Sequence, residues 1–363
     1  MENWENLCGE NNWEGLLEPL DDNLRRLIIH YGEMVEATYT AYDSNEDSTT
    51  GCKYTKENLF SEVGLGKGFA KKDYIITNFI YATASFAPFD KDTNWMGYIA
   101  VATEERKNEL GRRDIAVAWR GTKELSEWTN NMLAMKKPAS KMIDHPHMSS
   151  PFSSFPNIEV LEEVTKLVKK YKNETVRVIV TGHSLGGALT ILNAADISVA
   201  LNLGISLTNI RQTFTSYIRI ENKPDVVPDL LLRMENLFHG VKDKINDGLE
   251  WINNIIDIKH HLPNHISYYM DVGEVLLVDT DKSNDLKERD LELAHDMEIY
   301  LHGVFGTLGG ANAGFKKVER DIALVNKHGD YLKDSYGIPT SWWNKPDKAK
   351  MVQIQDGSWK ELP

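Results

Sequence analysis

The sequence predicts an α/β fold with a central, mostly parallel β-sheet, and three observations support this prediction. Short apolar runs rich in β-branched residues recur along the chain, as at 176–180 and 217–221, and such runs are typical of buried strands. Stretches with apolar residues at helical spacing lie between them, as at 159–171, and this alternation is typical of α/β sheets. The third observation is a glycine-flanked turn at 182–186, between a predicted strand and a predicted helix.

The elements before this turn are predicted from the same patterns. Residues 1–70 are predicted to form a helical N-terminal extension, because leucine, isoleucine and valine recur there at helical spacing. Residues 98–102 and 114–119 are predicted to be two strands of a hairpin. A polar turn at 103–113 is predicted to join them.

Size, charge and cysteine content narrow the class of protein. The 363 residues are predicted to form a single domain, with the extension at 1–70, a core at 71–310 and a C-terminal appendage at 311–363. The net charge of −13 should repel nucleic acid and strongly anionic membrane surfaces. No uninterrupted apolar run is long enough to span a membrane. Cys8 and Cys52 have neither metal-type nor redox-type spacing, which favours a reducing compartment, and we expect a cytoplasmic location.

Ser184 is the residue with the strongest local signal for chemistry. It is the central residue of Gly182-His183-Ser184-Leu185-Gly186, between the strand at 176–180 and a helix-forming stretch at 188–195. This pattern in this setting predicts a nucleophile elbow, which exposes the serine hydroxyl at the carboxyl end of a strand. The turn is so tight that side chains at the glycine positions would collide with the neighbouring strand and helix. The alternative is an ordinary glycine-rich turn.

A serine nucleophile needs an imidazole to take its proton and a carboxylate to orient that imidazole. Enzymes with such an elbow carry these groups in the order Ser, Asp, His, and Ser184, Asp225 and His295 have this order. Asp225 also follows the predicted strand at 217–221, in a loop that contains two prolines. We interpret His183 as a packing residue rather than the base. Other histidines compete with His295 for the role of base, and spacing alone does not exclude them. They are His239, His260, His261, His265 and His302.

Acyl transfer also needs two N–H donors that bind the oxyanion of the tetrahedral intermediate. The backbone of Leu185, directly after the serine, is predicted to supply one donor. Thr122, after the strand at 114–119, is the candidate for the other, and its hydroxyl could add a hydrogen bond. The alternative interpretation of Thr122 is a structural turn residue that follows Gly121.

A calcium loop is the one metal site that the spacing suggests, and it is incomplete. Asp279, Asp281 and Ser283 have the spacing of such a loop. Asn284 and Asp290 stand where the loop requires glycine and glutamate. We therefore expect neither a metal nor a cofactor.

Many blocks of the sequence resemble the plant class II phospholipase A1 group of the class 3 lipases, which have the α/β-hydrolase fold. The blocks lie at 13–17, 31–39, 95–102, 111–122, 182–186, 222–228, 295–303, 342–343 and 356–359. The resemblance implies Ser184 as the acyl nucleophile, Asp225 as the orienting acid and His295 as the general base. It also implies a soluble enzyme that hydrolyses the sn-1 acyl ester of glycerophospholipids without a metal, in peripheral contact with lipid.

The chain departs from this group in two places. Nothing at 201–218 matches the group's core strand between serine and aspartate, and a histidine-containing stretch is missing near 135–155. A sheet that lacks one strand would have a gap beside the strand that carries the serine.

Apolar residues at 234–258 recur every three or four positions, which predicts an amphipathic helix. That helix either packs on the core or forms a flap that meets lipid.

Two alternative functions follow from these observations. One keeps the chemistry but changes the substrate to a galactolipid, an acylglycerol or a small ester, since the shape of the pocket decides this choice. The other is a catalytically silent lipase-like protein that binds lipid or a protein partner. The two missing stretches motivate the second alternative, whereas the complete set of triad candidates favours an enzyme.

Overall fold

The computed structural model describes residues 4–45, 48–65, 73–83, 93–122, 157–204, 216–225, 273–288, 291–310, 314–344, 347–354 and 358–361. The amphipathic helix predicted at 234–258 lies outside these ranges.

The described elements alternate between helices and strands from β2 to α6. The α-helices are α1 (Trp4–Leu7), α2 (Asp22–Ala41), α3 (Leu59–Glu62), α4 (Glu104–Leu110), α5 (Asn157–Lys170), α6 (Leu185–Gly204), α7 (Leu291–Ala294) and α8 (Met297–Gly306). The strands are β1 (Tyr74–Thr83), β2 (Thr93–Ala102), β3 (Arg113–Trp119), β4 (Val176–Gly182), β5 (Ile218–Asn222), β6 (Glu274–Val278), β7 (Met351–Gln353) and β8 (Trp359–Glu361). This content confirms the predicted α/β class.

Strands β1 to β4 form one sheet in chain order. β2 pairs antiparallel with both β1 and β3, so the predicted hairpin is confirmed. β3 and β4 run parallel, with Ile115 opposite Val178. β5 and β6 form a second, parallel pair. The mostly parallel arrangement expected from the sequence therefore holds only within the pairs β3–β4 and β5–β6, because the first three strands reverse direction at each connection.

The described strands of these two sheets are not hydrogen-bonded to each other. Every residue of β3 is buried, whereas every residue of β4 is only half-buried. β4 is one of the two outer strands of the described four-stranded sheet, and β1 is the other. The sequence predicts that a strand is missing beside β4. This stays a prediction, because residues 205–215 lie outside the described part of the chain.

The polar turn predicted at 103–113 is wrong, because most of this segment forms helix α4. The side chain of Thr103 caps the helix by accepting a hydrogen bond from the backbone N–H of Arg106 at 3.2 Å. Gly111, at φ 71°, ends the helix in the left-handed region that favours glycine. Local contacts thus stabilise both ends of the helix, and this explains why the polar segment is helical.

The four-stranded sheet is packed on both faces. On one face, side chains that include Ile99, Val117 and Trp119 meet α5 and α6. On the other face, Tyr98 and Ala116 pack in a cluster with α2. α2 also shares a hydrophobic cluster with β5, β6 and α8. This helix therefore connects the two sheets, and it brings the ends of β4 and β5 into one region.

The C-terminal segment packs on the N-terminal segment. Trp342, Trp343 and Trp359 form a cluster with ring centroids 4.9 to 5.3 Å apart. A Cβ atom added to Gly64 would lie 3.0 Å from the Trp343 ring, so the two segments are in close contact. The boundaries 1–70, 71–310 and 311–363 stay predictions.

Candidate active site

The turn between β4 and α6 has the geometry of a strained elbow. Ser184 has φ 58°, in the left-handed region that non-glycine residues rarely adopt. A Cβ atom on Gly182 would lie 2.3 Å from the Gly186 carbonyl oxygen, and one on Gly186 would lie 2.5 Å from the Trp119 carbonyl oxygen. Side chains at both positions would therefore collide with the helix and with the end of β3. A serine held in this strained conformation is typical of functional sites.

Asp225 and His295 are 70 residues apart in the chain and meet directly in space. His295 Nδ1 lies 2.7 Å from Asp225 Oδ2. The Asp225 side chain is fully buried, and that of His295 is 12% exposed. Asp225 follows β5, and His295 lies in the short connection between α7 and α8. A buried carboxylate in this position fixes the tautomer and the orientation of an imidazole.

Asn222, the last residue of β5, connects the segments that carry Asp225 and His295. Its side-chain nitrogen donates to the carbonyl oxygen of Ala294 at 3.0 Å. Its side-chain oxygen accepts a hydrogen bond from the Thr280 hydroxyl at 2.8 Å. The backbone N–H of Asp225 donates to the Asn222 carbonyl at 2.8 Å. Asn222 therefore holds the acid and the imidazole in register, a role that the sequence did not predict.

Tyr300 is a second partner of the same carboxylate, and it was also not predicted. Its hydroxyl donates to Asp225 Oδ2 at 2.6 Å. Burial raises the pKa of Tyr300 well above its usual value, and the nearby Asp225 charge adds to this effect. The residue therefore stays a hydroxyl donor at any physiological pH.

His183 packs against His295 at the elbow. The two ring centroids are 4.7 Å apart, and the rings are tilted by 38°. Because His183 directly precedes Ser184, this contact brings the imidazole of His295 to the turn that carries the serine. His295 Nε2 is buried and, among the described residues, has no hydrogen-bond partner. This is the nitrogen that would accept a proton from a nucleophile.

The chain passes close to the elbow after β3. A Cβ atom on Gly121 would lie 3.0 Å from the Ser184 Cβ atom and 2.7 Å from the His183 carbonyl oxygen. Thr122 is the next residue, so its backbone is beside the serine. Leu185 is the first residue of α6, and the N–H groups at a helix start lack partners within the helix. Both residues are thus near the place where an oxyanion donor is needed.

Of the competing histidines, only His302 lies within the described residues. His302 is fully buried, and its Nε2 lies 2.7 Å from the Ser283 hydroxyl. Its ring also packs on Phe315, with centroids 5.5 Å apart. The other four competitors are His239, His260, His261 and His265, which lie outside the described ranges.

The stretch with calcium-loop spacing makes other contacts in this structure. Asp279 pairs with Lys223 at 3.3 Å and with Lys282 at 3.7 Å. Ser283 is engaged with His302. Within the described ranges, no group of three or more histidine, cysteine, aspartate or glutamate side chains is arranged to hold a metal ion.

No helix in the described part of the chain is both long enough and apolar enough to cross a lipid bilayer.

Comparison with known proteins identifies the family. The sequence model described as Lipase (class 3) matches residues 116–203, which contain β4, the elbow and all but the last residue of α6. The chain is 35% identical to phospholipase A1-II 1 of Oryza sativa, over 98% of this chain and 94% of the rice protein. It is 36% identical to phospholipase A1-IIbeta of Arabidopsis thaliana, over 98% of this chain and 92% of that protein.

The alignment with the rice protein spans 410 positions, more than the 363 residues of this chain. The rice protein therefore has residues that this chain lacks. The identity nevertheless extends over nearly the full length of both proteins, and α/β content, elbow and paired acid and imidazole are all present. The chain belongs to the class 3 lipase family, among the plant phospholipase A1-II proteins.

Proposed function

We propose that this protein is a serine acyl hydrolase that cleaves the sn-1 acyl ester of glycerophospholipids. The observation that carries the proposal is the 2.7 Å contact between His295 and the buried Asp225, next to a strained Ser184. Relatives that are about 35% identical and named phospholipase A1 support a phospholipid as the substrate.

The first half of the reaction forms an acyl-enzyme. Ser184 Oγ attacks the carbonyl carbon of the ester while its proton passes to His295 Nε2. Asp225, on the Nδ1 side, orients the ring and stabilises the imidazolium that forms. The N–H of Leu185 and a donor from Thr122 bind the oxyanion of the tetrahedral intermediate. When the intermediate collapses, the imidazolium gives its proton to the leaving alcohol, and the lysophospholipid departs.

The second half of the reaction releases the fatty acid. A water molecule attacks the acyl carbonyl, and His295 Nε2 takes its proton. The second tetrahedral intermediate uses the same oxyanion donors. Its collapse returns the proton to Ser184 Oγ, which leaves the free fatty acid and the resting enzyme. Water and ester are the only reactants, so the mechanism needs no cofactor.

Phosphatidylcholine that carries different labels on its two acyl chains tests this proposal. We expect the purified protein to release the sn-1 acid, and the Ser184→Ala variant to release neither acid. Equal release of both acids would contradict sn-1 selectivity. Preferential turnover of a galactolipid, a monoacylglycerol or a short-chain ester in a parallel panel would instead favour the alternative substrates.

The stretches missing from this chain favour one competing function, a silent lipase-like protein that binds lipid or a protein partner. The alignment that is longer than the chain supports this alternative, whereas the contact between His295 and Asp225 favours catalysis. Hydrolysis of any acyl ester that depends on Ser184 would exclude it. Vesicle binding without hydrolysis, by protein with a cooperative melting transition, would support it.

We also propose a cytoplasmic location, with peripheral contact to lipid during catalysis. Cys8 and Cys52 are both free and buried, as expected for a protein in a reducing compartment. A fluorescent fusion expressed in plant cells tests this. Diffuse cytoplasmic fluorescence is expected, and accumulation inside an organelle or in the secretory pathway would contradict the proposal.

A further inference from the structure

His183 has contacts that packing at the elbow does not require. Its ring lies 4.7 Å from that of His295, tilted by 38°. Its Nδ1 atom lies 2.8 Å from the hydroxyl of Tyr39, in α2. The ring of Tyr300 meets it edge-on, with centroids 5.4 Å apart. Tyr39 from α2 and Tyr300 from α8 therefore fix the imidazole of His183 beside that of His295.

The surroundings of His183 keep its ring neutral. Burial lowers the pKa of His183 to about 3, and the neighbouring His295 lowers it further, while the more distant Asp225 and Glu36 oppose this shift. Burial also raises the pKa of Tyr39, so its hydroxyl remains protonated. The Tyr39 hydroxyl and Nδ1 of the neutral imidazole can thus share a hydrogen bond. A ring with this protonation is a poor base at neutral pH.

The position of Tyr39 is itself tightly defined. A Cβ atom on Gly121 would lie 2.2 Å from the Tyr39 hydroxyl oxygen, so the chain after β3 presses against this tyrosine. Tyr39 is also part of the long helix that connects the two sheets. The hydrogen bond to His183 therefore ties the elbow to the most central helix of the fold, and the orientation of the His183 ring follows from it.

We propose that His183 is a positioning residue for acyl transfer: its neutral ring, held by Tyr39, supports the ring of His295 and stabilises the imidazolium that His295 becomes. The inference rests on the proposed function, because it concerns the same reaction. His295 is neutral before the attack and cationic in the transition state. A cation over the face of a neutral aromatic ring is attracted to it, more so when both are shielded from water. The interaction is therefore stronger in the transition state than in the resting enzyme, and it should act on kcat rather than on KM.

The test uses three variants and a soluble ester, p-nitrophenyl butyrate, so that binding to a lipid surface plays no part. His183→Leu removes the ring. The double variant Tyr39→Phe, His183→Phe keeps a ring at position 183 and removes both partners of the hydrogen bond, so that no buried hydroxyl is left without an acceptor. Tyr39→Phe alone removes only the hydrogen bond. Melting curves recorded for each protein show whether it is folded.

We expect His183→Leu to lower kcat about tenfold with KM changed less than about twofold, as a lost ring contact of this kind predicts. The double variant should recover kcat to within about threefold of the wild type. A folded His183→Leu variant with wild-type kcat would overturn the inference, and so would a folded double variant as slow as His183→Leu. If the wild type itself hydrolyses no ester, the proposed function fails. That result differs from failure of the inference about His183, because it is seen without any change at position 183.

Discussion

Tyr300 and His295 contact the same oxygen atom. The Tyr300 hydroxyl lies 2.6 Å from Asp225 Oδ2, and His295 Nδ1 lies 2.7 Å from it. The carboxylate is fully buried, so these contacts replace part of the hydration that it loses on folding. Burial without such contacts would be costly for a charged group. The Tyr300 hydroxyl therefore holds the Asp225 carboxyl group in the position that orients His295.

The variant Tyr300→Phe should lower kcat/KM about tenfold, because it removes a hydrogen bond to a buried charged group while it keeps the packing of the ring. Steady-state hydrolysis of a soluble ester measures this. Tyr336→Phe is the matched control, since the Tyr336 hydroxyl also contacts an aspartate, Asp285 at 2.5 Å, but on the exposed surface. Equal activity of the two variants would contradict the role given to Tyr300.

The variant Asp225→Asn should lower kcat by about a thousand- to ten-thousand-fold, because an amide at this position favours the wrong tautomer of His295. The fold should survive, since the two side chains have nearly the same shape. Asp279→Asn is the control, because Asp279 follows the neighbouring strand β6 and its carboxylate forms ion pairs with the surface lysines Lys223 and Lys282. A loss of less than about tenfold in Asp225→Asn would show that another acid serves His295.

Gly186 and Gly187 should respond in opposite directions to alanine. A Cβ atom on Gly186 would lie 2.5 Å from the backbone oxygen of Trp119, whereas one on Gly187 would have no contact closer than 3.6 Å. Gly186→Ala should lose about 2–4 kcal/mol of unfolding free energy. Gly187→Ala, near the start of α6, should gain about 0.5 kcal/mol, because alanine loses less backbone entropy in a helix. Denaturant unfolding of both variants measures this, and destabilisation by Gly187→Ala comparable with that by Gly186→Ala would refute the steric explanation.

Glu36 should contribute stability that disappears in acid. It is buried between Lys327 at 3.5 Å and His328 at 3.1 Å. Burial alone would raise the pKa of Glu36, but these two partners outweigh burial and lower it to about 2, from the ordinary 4.5. The folded state therefore binds fewer protons than the unfolded state in this window, and the stabilisation is fully present above the unfolded pKa. It is lost as the pH falls from about 4.5 towards about 2.

The variant Glu36→Gln tests this linkage. At neutral pH it should lose about 2–3 kcal/mol, since it leaves Lys327 buried without its carboxylate. The difference in Tm between variant and wild type should then narrow as the pH falls below about 4.5. A difference that stays constant down to the acid transition would show that the loss comes from packing rather than from charge.

Local signals in the sequence were sufficient to predict much of the fold. The strand before Ser184 and the helix after it were predicted, because the change from β-branched residues to helix-forming residues is abrupt there. Strand β1 was not predicted as a separate strand, since its own pattern mixes polar and apolar residues. Helix α4 was mistaken for a turn because its stability comes from a cap and a terminal glycine rather than from apolar spacing.

The candidate site was predictable only in part. Order and strand position indicated Asp225, but spacing alone left several histidines open beside His295, and the resemblance to the family supported that choice. Tyr300 and Asn222 were missed, because a tyrosine within an apolar helix and an asparagine at the end of a strand have the same local pattern whether or not they serve a site.

The central claim, that His295 activates Ser184, is tested most directly by a fluorophosphonate that labels only activated serines. After brief incubation with the purified protein, peptide mass analysis should locate the adduct on Ser184, and His295→Gln should slow its formation at least about a hundredfold. Labelling of the folded wild type at another residue, or no labelling, would contradict the claim. An unchanged rate in folded His295→Gln would contradict it equally, since the serine would then react without this base.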